Sequence, residues 1–238
     1  MSIFKRRQKI NYDKLPKHIA FIMDGNGRWA KLRGKARTYG HKRGVEAIEA
    51  VIEHAQKIGI SIMSFYAFST ENWKRPQEEI DYIFNLLKEY LEKHKDDFKT
   101  NNIKLRVVGD ITKLSKDLQK AIEQAQKLTE KCDGLLVNIC LNYGSRVEII
   151  RAINNIIRDG VKEVDDELFA KYLQTEGIPD PDMVVRTSGE YRLSNFMLYQ
   201  CAYSELYFPK VYWPDFKEKE LEKAIVEYQK RNRRFGNI

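Results

Sequence analysis

The sequence predicts an α/β fold: one domain built on a central, mostly parallel β-sheet of about six strands, flanked by helices. Three observations predict it. Strand-like apolar runs alternate with helix-like runs over most of the chain, and strand–helix–strand repetition builds parallel sheets. No Pro/Gly/Ser-rich linker, internal repeat or low-complexity tract divides the 238 residues. With 42% apolar and 11% aromatic residues, the chain can fill one sizeable core.

Taken in order, His18 to Met23 (HIAFIM) reads as a buried strand that ends at Asp24. From Gly44 to Ile58 the residues Val45, Ile48, Val51, Ile52, Ala55 and Ile58 fall on one helical face, and Gly59 supplies the stop. Ile60 to Phe68 is the second strand. Pro76 opens a helix whose stripe is Ile80, Ile83, Phe84, Leu87 and Leu91. Ile103 to Val108 reads as a strand, Leu114 to Leu128 as a helix, Leu135 to Leu141 as a strand, Val147 to Ile157 as a helix, and Met183 to Val185 as a short strand. Parallel strands put their carboxyl ends on one rim, where such sheets bind ligands.

The charge is unevenly spread, and its positive end needs a partner that charge alone does not choose. The net charge is +8, yet residues 1–43 alone carry +11 and the remainder −3. A phosphorylated small molecule, anionic lipid headgroups and nucleic acid all suit such an end. No apolar stretch approaches the roughly 18 residues of a spanning helix. The start MSIFKRRQK lacks a signal-type apolar segment, so the expected location is the cytoplasm. Cys132, Cys140 and Cys201 form no CxxC pair and are expected to be small core residues.

After the first strand comes Asp24-Gly25-Asn26-Gly27-Arg28-Trp29-Ala30. Two glycines let backbone amides approach an anion, and the helix start behind them adds its positive end. Gly25-x-Gly27-x-x-Ala30 also fits the dinucleotide pattern, but Asp24 directly before it would repel a bare pyrophosphate and welcome one carrying Mg²⁺. No Gly-Lys-Ser/Thr follows, which excludes a P-loop. Lys31, Arg33 and Lys35 are expected to form a solvated face. A second cluster, residues 69–76 (STENWKRP), follows the second strand, and a third, from Arg186 to Phe196, follows the strand at Val185. Two arginines and a serine after a strand look like anion capture.

Together DGNGRWA, SFYAFSTENWKRP and VVRTSGEYRLSNF with AYSELYF resemble, in order, the signatures of the cis-prenyltransferases. The resemblance runs from about Pro16 to the C-terminus, implying a catalytic domain over residues 16–238 preceded by a basic, flexible segment over 1–15. It implies a Mg²⁺-dependent transferase that adds isopentenyl diphosphate repeatedly to farnesyl diphosphate. The product would be a Z-configured polyprenyl diphosphate, of undecaprenyl length in the bacterial branch, serving cell-wall assembly. Carried over by position, Asp24 is the metal-binding aspartate, with Glu205 near the metal. Gly25, Asn26, Gly27, Arg28, Arg37 and His41 bind the allylic diphosphate, and Trp29 is a substrate-site aromatic. Ser69, Thr70, Glu71, Trp73 and Arg75 match a second substrate-contacting segment. Arg186, Arg192, Leu193 and Ser194 match the isopentenyl diphosphate site. Arg234 and Gly236 match a terminal RxG element that reaches the diphosphate site across a homodimer. Tyr199 and Ser188 depart from the pattern where a tryptophan and a glycine are common. Nucleic acid is not an expected partner; peripheral contact with the inner face of the membrane is.

The chemistry suits those residue types. Breaking an allylic carbon–oxygen bond leaves a highly charged pyrophosphate, which cations and N–H donors stabilise. The family assigns Asn72 as proton acceptor. An amide is scarcely basic, so Asn72 is expected to orient while a diphosphate oxygen takes the proton. A growing hydrocarbon needs a dry tunnel beneath the rim, for which Ile80, Ile83, Phe84, Leu87 and Leu91, with Phe65, Ala67 and Ile139, are candidates. His54 and His94 are expected at the surface and His18 at a strand start, with no Cys/His partners for zinc. The Asp-rich DDxxD pair of trans-prenyltransferases is missing. A nucleotide-binding oxidoreductase and a salt-sensitive nucleic-acid or membrane-binding module stand as alternatives.

Overall fold

The computed structural model describes residues 9–231. Its six strands are β1 (His18–Ile22), β2 (Ile62–Ser69), β3 (Lys104–Val108), β4 (Leu136–Tyr143), β5 (Met183–Arg186) and β6 (Glu205–Tyr207). They form one sheet in the order β3-β4-β2-β1-β5-β6. Every pairing is parallel. The helices are α1 (Asn26–Leu32), α2 (Arg37–Ile58), α3 (Gln77–Thr100), α4 (Lys116–Leu128), α5 (Ser145–Arg158), α6 (Asp166–Tyr172) and α7 (Glu218–Gln229). Among these, β6, α6 and α7 lie where the sequence reading identified no element.

Burial explains the strand sequences. β1 is covered on both faces, so all five of its residues are buried and its apolar run is continuous rather than alternating. Helices α2, α3, α4 and α7 pack their stripes over one face, around Phe21, Phe65 and Phe68, with Trp213 stacked on Phe216. The other face is smaller and is covered by Phe196, Met197 and Cys201 against Ala20, Ile22 and Cys140. Cys140 and Cys201 are therefore buried core residues, and Cys132 is half-buried.

Helix α2 begins seven residues before the expected Gly44. The early turns carry Gly40 and Gly44, which hide the apolar period, and packing explains both. A Cβ on Gly40 would lie 2.1 Å from the Asn26 carbonyl, and one on Gly44 would lie 2.6 Å from the Asn26 side-chain oxygen. These glycines let α1 nest on α2. The longer helix also puts Arg37 and His41 one turn apart on the same face.

Strand order fixes where a ligand can sit. The chain leaves β1 toward β2 and leaves β5 toward β6, in opposite directions along the sheet. The loops after β1 and β5 thus diverge, and a crevice opens between them.

Candidate functional site

Asp24 lies two residues beyond β1, beside that crevice. Its Oδ2 accepts from Arg186 at 2.9 Å and its Oδ1 from Arg28 at 3.0 Å. Thr187 and the Trp213 amide both donate to the Asp24 carbonyl, at 2.6 and 3.1 Å, fixing the backbone below the carboxylate. Burial works to raise the Asp24 pKa, but the hydrogen bonds and charges of Arg186 and Arg28 outweigh it and hold the group below the ordinary carboxylate value. Gly25 then takes φ +106°, and a Cβ there would meet Tyr212 at 2.5 Å. Only glycine makes this turn without strain. The first amides of α1 point out of the turn without intrahelical partners.

The third segment closes around the same point. Arg186, buried at the end of β5, donates to the Ser194 hydroxyl at 2.7 Å and to the Arg192 carbonyl at 2.6 Å. Arg28 reaches Glu190 at 2.5 Å and the Ser188 hydroxyl, while Arg192 pairs with Glu190 at 2.6 Å. Leu193 turns inward and packs against the smaller core. Asp24, Arg28, Arg186, Arg192 and Ser194 therefore form one hydrogen-bonded cluster, joined by Ser188 and Glu190.

The second segment winds a 3-10 turn over Thr70–Lys74. Ser69 and Asn72 form a reciprocal capping box, the Asn72 side chain accepting from the Ser69 amide at 3.1 Å. Glu71 accepts from Asn195 at 2.8 Å and from Thr70 at 3.2 Å, tying this turn to the Arg186 segment. Trp73 donates to Asn142 at 2.8 Å and packs edge-on against Phe68 and Phe84, wedging the turn.

Arg37, His41 and Arg75 form a separate group around a residue that sequence reasoning missed. All three donate to one oxygen of Glu79, at 3.2, 3.2 and 3.1 Å. Glu79 is buried in the first turn of α3. Its position carries no local signal, because three residues distant in sequence give it its surroundings.

Between α2, α3 and the sheet lies an apolar cavity of about 100 Å³. Asn26, His41, Met23 and Trp213 line its rim end, and Val137 and Phe98 line it deeper. The expected residues Ile83, Leu87, Phe65, Ala67 and Ile139 line it as well. Ile80, Phe84 and Leu91 do not. Ile80 and Leu91 are fully buried core, while Phe84 packs on Phe68. The opposing wall belongs to Val45, Ile48 and Ile52 of α2. From Leu141 to Val137 the cavity follows β4 for about 13 Å.

Other expectations fall elsewhere. Trp29 is buried beneath Tyr39, with Arg33 over its ring at 4.0 Å, so its indole faces the α1–α2 junction. Lys31, Arg33 and Lys35 are exposed, as a solvated face requires. His54 and His94 are partly buried rather than at the surface, because each is drawn onto carboxylates, Glu222 for the first and Glu49 with Asp97 for the second. Glu205 opens β6 in register with Met183, three residues before Arg186, about 10 Å along the sheet from the rim. Its carboxylate pairs with Arg231 at 2.7 Å, so the fold of one chain does not bring Glu205 to Asp24. Arg234, Gly236 and the N-terminal residues 1–8 lie outside the described residues.

A magnesium ion fits this donor set through Asp24. Mg²⁺ in phosphate sites is held by one or two carboxylates together with substrate oxygens. Asp24 is ionised, partly exposed and flanked by phosphate-binding residue types. No group of three or more His, Cys, Asp or Glu side chains suited to a metal occurs among the described residues, so the remaining ligands would come from substrate and water.

Residues 22–236 match the prenyltransferase family model described as "Putative undecaprenyl diphosphate synthase". The chain is 49% identical to an isoprenyl transferase of Fusobacterium nucleatum over 94% of its own length and 97% of that protein's. It is 45% identical to an isoprenyl transferase of Clostridium perfringens over 95% and 92%. Among solved structures, lavandulyl diphosphate synthase from Lavandula x intermedia, in complex with dimethylallyl diphosphate, superposes with a TM-score of 0.90 at 33% identity, over 94% of this chain and 99% of that one. A "probable undecaprenyl diphosphate synthase" from Campylobacter jejuni gives 0.80 at 37% identity, with the same coverage.

Proposed function

The chain belongs to the undecaprenyl diphosphate synthase family of prenyltransferases, and from that premise we propose that it condenses isopentenyl diphosphate onto farnesyl diphosphate, in the presence of Mg²⁺, to build a Z-polyprenyl diphosphate. The observation that carries this reading is one juxtaposition. The Asp24–Arg28–Arg186 cluster sits at the sheet's crevice, beside the mouth of an apolar cavity.

The residues divide the work by charge and place. The amides after Gly25, with Arg28, Arg37 and His41, hold the allylic diphosphate while its hydrocarbon lies between α2 and α3. Stabilising the departing pyrophosphate is the main electrostatic task, and fixed guanidinium groups and amides perform it without reorganising at the moment of reaction. Bound Mg²⁺, held by Asp24, supplies further neutralisation of the diphosphate charge. Arg186, Arg192 and Ser194 hold isopentenyl diphosphate so that its double bond meets the allylic carbon. Asn72 caps its own turn with the oxygen that a base would need, which supports an orienting role and leaves the proton to a diphosphate oxygen.

Incubation with farnesyl diphosphate, labelled isopentenyl diphosphate and Mg²⁺, followed by sizing of the lipid, tests the proposal. A long Z-polyprenyl diphosphate is expected. A product of another length would revise only the undecaprenyl assignment. Absence of elongation would end the reading.

A further inference from the structure

We propose that Glu79 is the residue that lets pyrophosphate go: a built-in anion that competes with it for Arg37, His41 and Arg75. The proposal rests on the reading of Arg37 and His41 as ligands of the allylic diphosphate and of Arg75 as part of the second substrate-contacting segment.

One nitrogen of each side chain already has a partner within the chain. One buried oxygen of Glu79 takes a hydrogen bond from each, at 3.1 to 3.2 Å. A carboxylate in the first turn of a helix ordinarily needs no more than the helix's positive end and one neighbour such as Arg75. Here Arg37 and His41 also reach across from α2, closing the ring of donors beside the cavity mouth.

The charges show what this does. Burial lowers the His41 pKa; the Glu79 contact opposes that, and the two arginines reinforce it, so the ring is neutral near pH 7. Two guanidinium groups against one carboxylate leave the cluster at +1, whereas without Glu79 it would be +2. Each condensation frees an inorganic pyrophosphate, which must leave before the lengthened chain's diphosphate can take its place. Binding that is equally strong in ground and transition states does not speed chemistry. A carboxylate that reclaims the cations as pyrophosphate departs lowers the cost of that exchange at every round.

Glu79→Gln keeps the shape and removes the charge. Titration calorimetry with inorganic pyrophosphate and Mg²⁺ should show affinity rising about tenfold. Steady-state elongation should slow several-fold with a lower KM for farnesyl diphosphate, while the single-turnover rate of the first condensation stays within about twofold. Glu79→Asp, which keeps the charge, should bind pyrophosphate as the native protein does. A residue with only a structural role would lower the unfolding temperature without tightening pyrophosphate. Should the glutamine variant not fold, Glu79→Ser gives the same readout. Pyrophosphate affinity unchanged or weakened in the folded variant overturns the inference. If the native protein itself neither binds pyrophosphate nor elongates, the underlying functional reading fails instead.

Discussion

Asp24 concentrates the electrostatics of the rim in one side chain. Two guanidinium groups hold its two oxygens, and its carbonyl anchors both Thr187 and Trp213. Asp24→Asn retains one acceptor for these arginines and removes the charge that a metal requires. Elongation should fall by about 10²- to 10³-fold, as expected when an electrostatic stabiliser of the leaving group is lost. Circular dichroism should be unchanged, and incorporation of labelled isopentenyl diphosphate is the measurement. Activity within about twofold of native would remove Asp24 from the chemistry. This residue was legible in the sequence because its partners Gly25 and Arg28 are its neighbours and the strand before it is plainly apolar. Glu79 was not, since its donors lie at positions 37, 41 and 75 and converge only in the fold. Trp29 is packed beneath Tyr39 at the start of the same motif, a setting that the motif alone does not reveal.

Elements were legible where packing writes a period. Helix α4 and the four longer strands repeat their apolar residues cleanly, whereas β6, with three half-buried residues, leaves too short a trace. The glycines at the start of α2 erased its period for the reason that they are needed there. The start of the sheet carries a polar network that shows what burial does to a titratable group. His18, fully buried, contacts the Pro179 carbonyl and the Ser64 hydroxyl, each at 2.7 Å, and Asn138 donates to that hydroxyl at 3.0 Å. Burial drives the His18 pKa down to about 4, against opposing hydrogen bonds from the Pro179 and Asp180 backbone and the charge of Asp182. Between that value and the ordinary value near 6.5, the unfolded chain binds a proton that the folded one refuses. The contribution of a neutral His18 is therefore complete above pH 6.5 and is lost as pH falls toward 4. Urea unfolding should register a loss of about 2 to 3 kcal/mol between pH 7 and pH 4.5 from this residue. In His18→Gln that part of the slope should vanish, and equal slopes in the two proteins would place the acid sensitivity elsewhere.

At the scale of the molecule, two features face outward on the side away from the cavity. On α5 the side chains Val147, Ile150, Ile153 and Ile157 form an exposed stripe, from 44% to 69% accessible. At the edge of the sheet, β6 has one neighbour, and the Glu205 carboxylate and Leu206 carbonyl hold Arg231 at 2.7 and 3.0 Å, bringing the last described residue to that edge. A homodimer joined through this side would cover the stripe on both copies. Four partly exposed apolar side chains on each copy would leave water in such a dimer. Light scattering should give twice the chain mass of 28.1 kDa. Ile150→Glu places a carboxylate in the stripe of each copy and should shift the protein to monomer at micromolar concentration. If the matched RxG element completes the partner's diphosphate site, elongation should fall with the dimer, and single-turnover activity should return as protein concentration is raised. A native protein that scatters as a monomer would overturn the arrangement and leave the exposed stripe to another use.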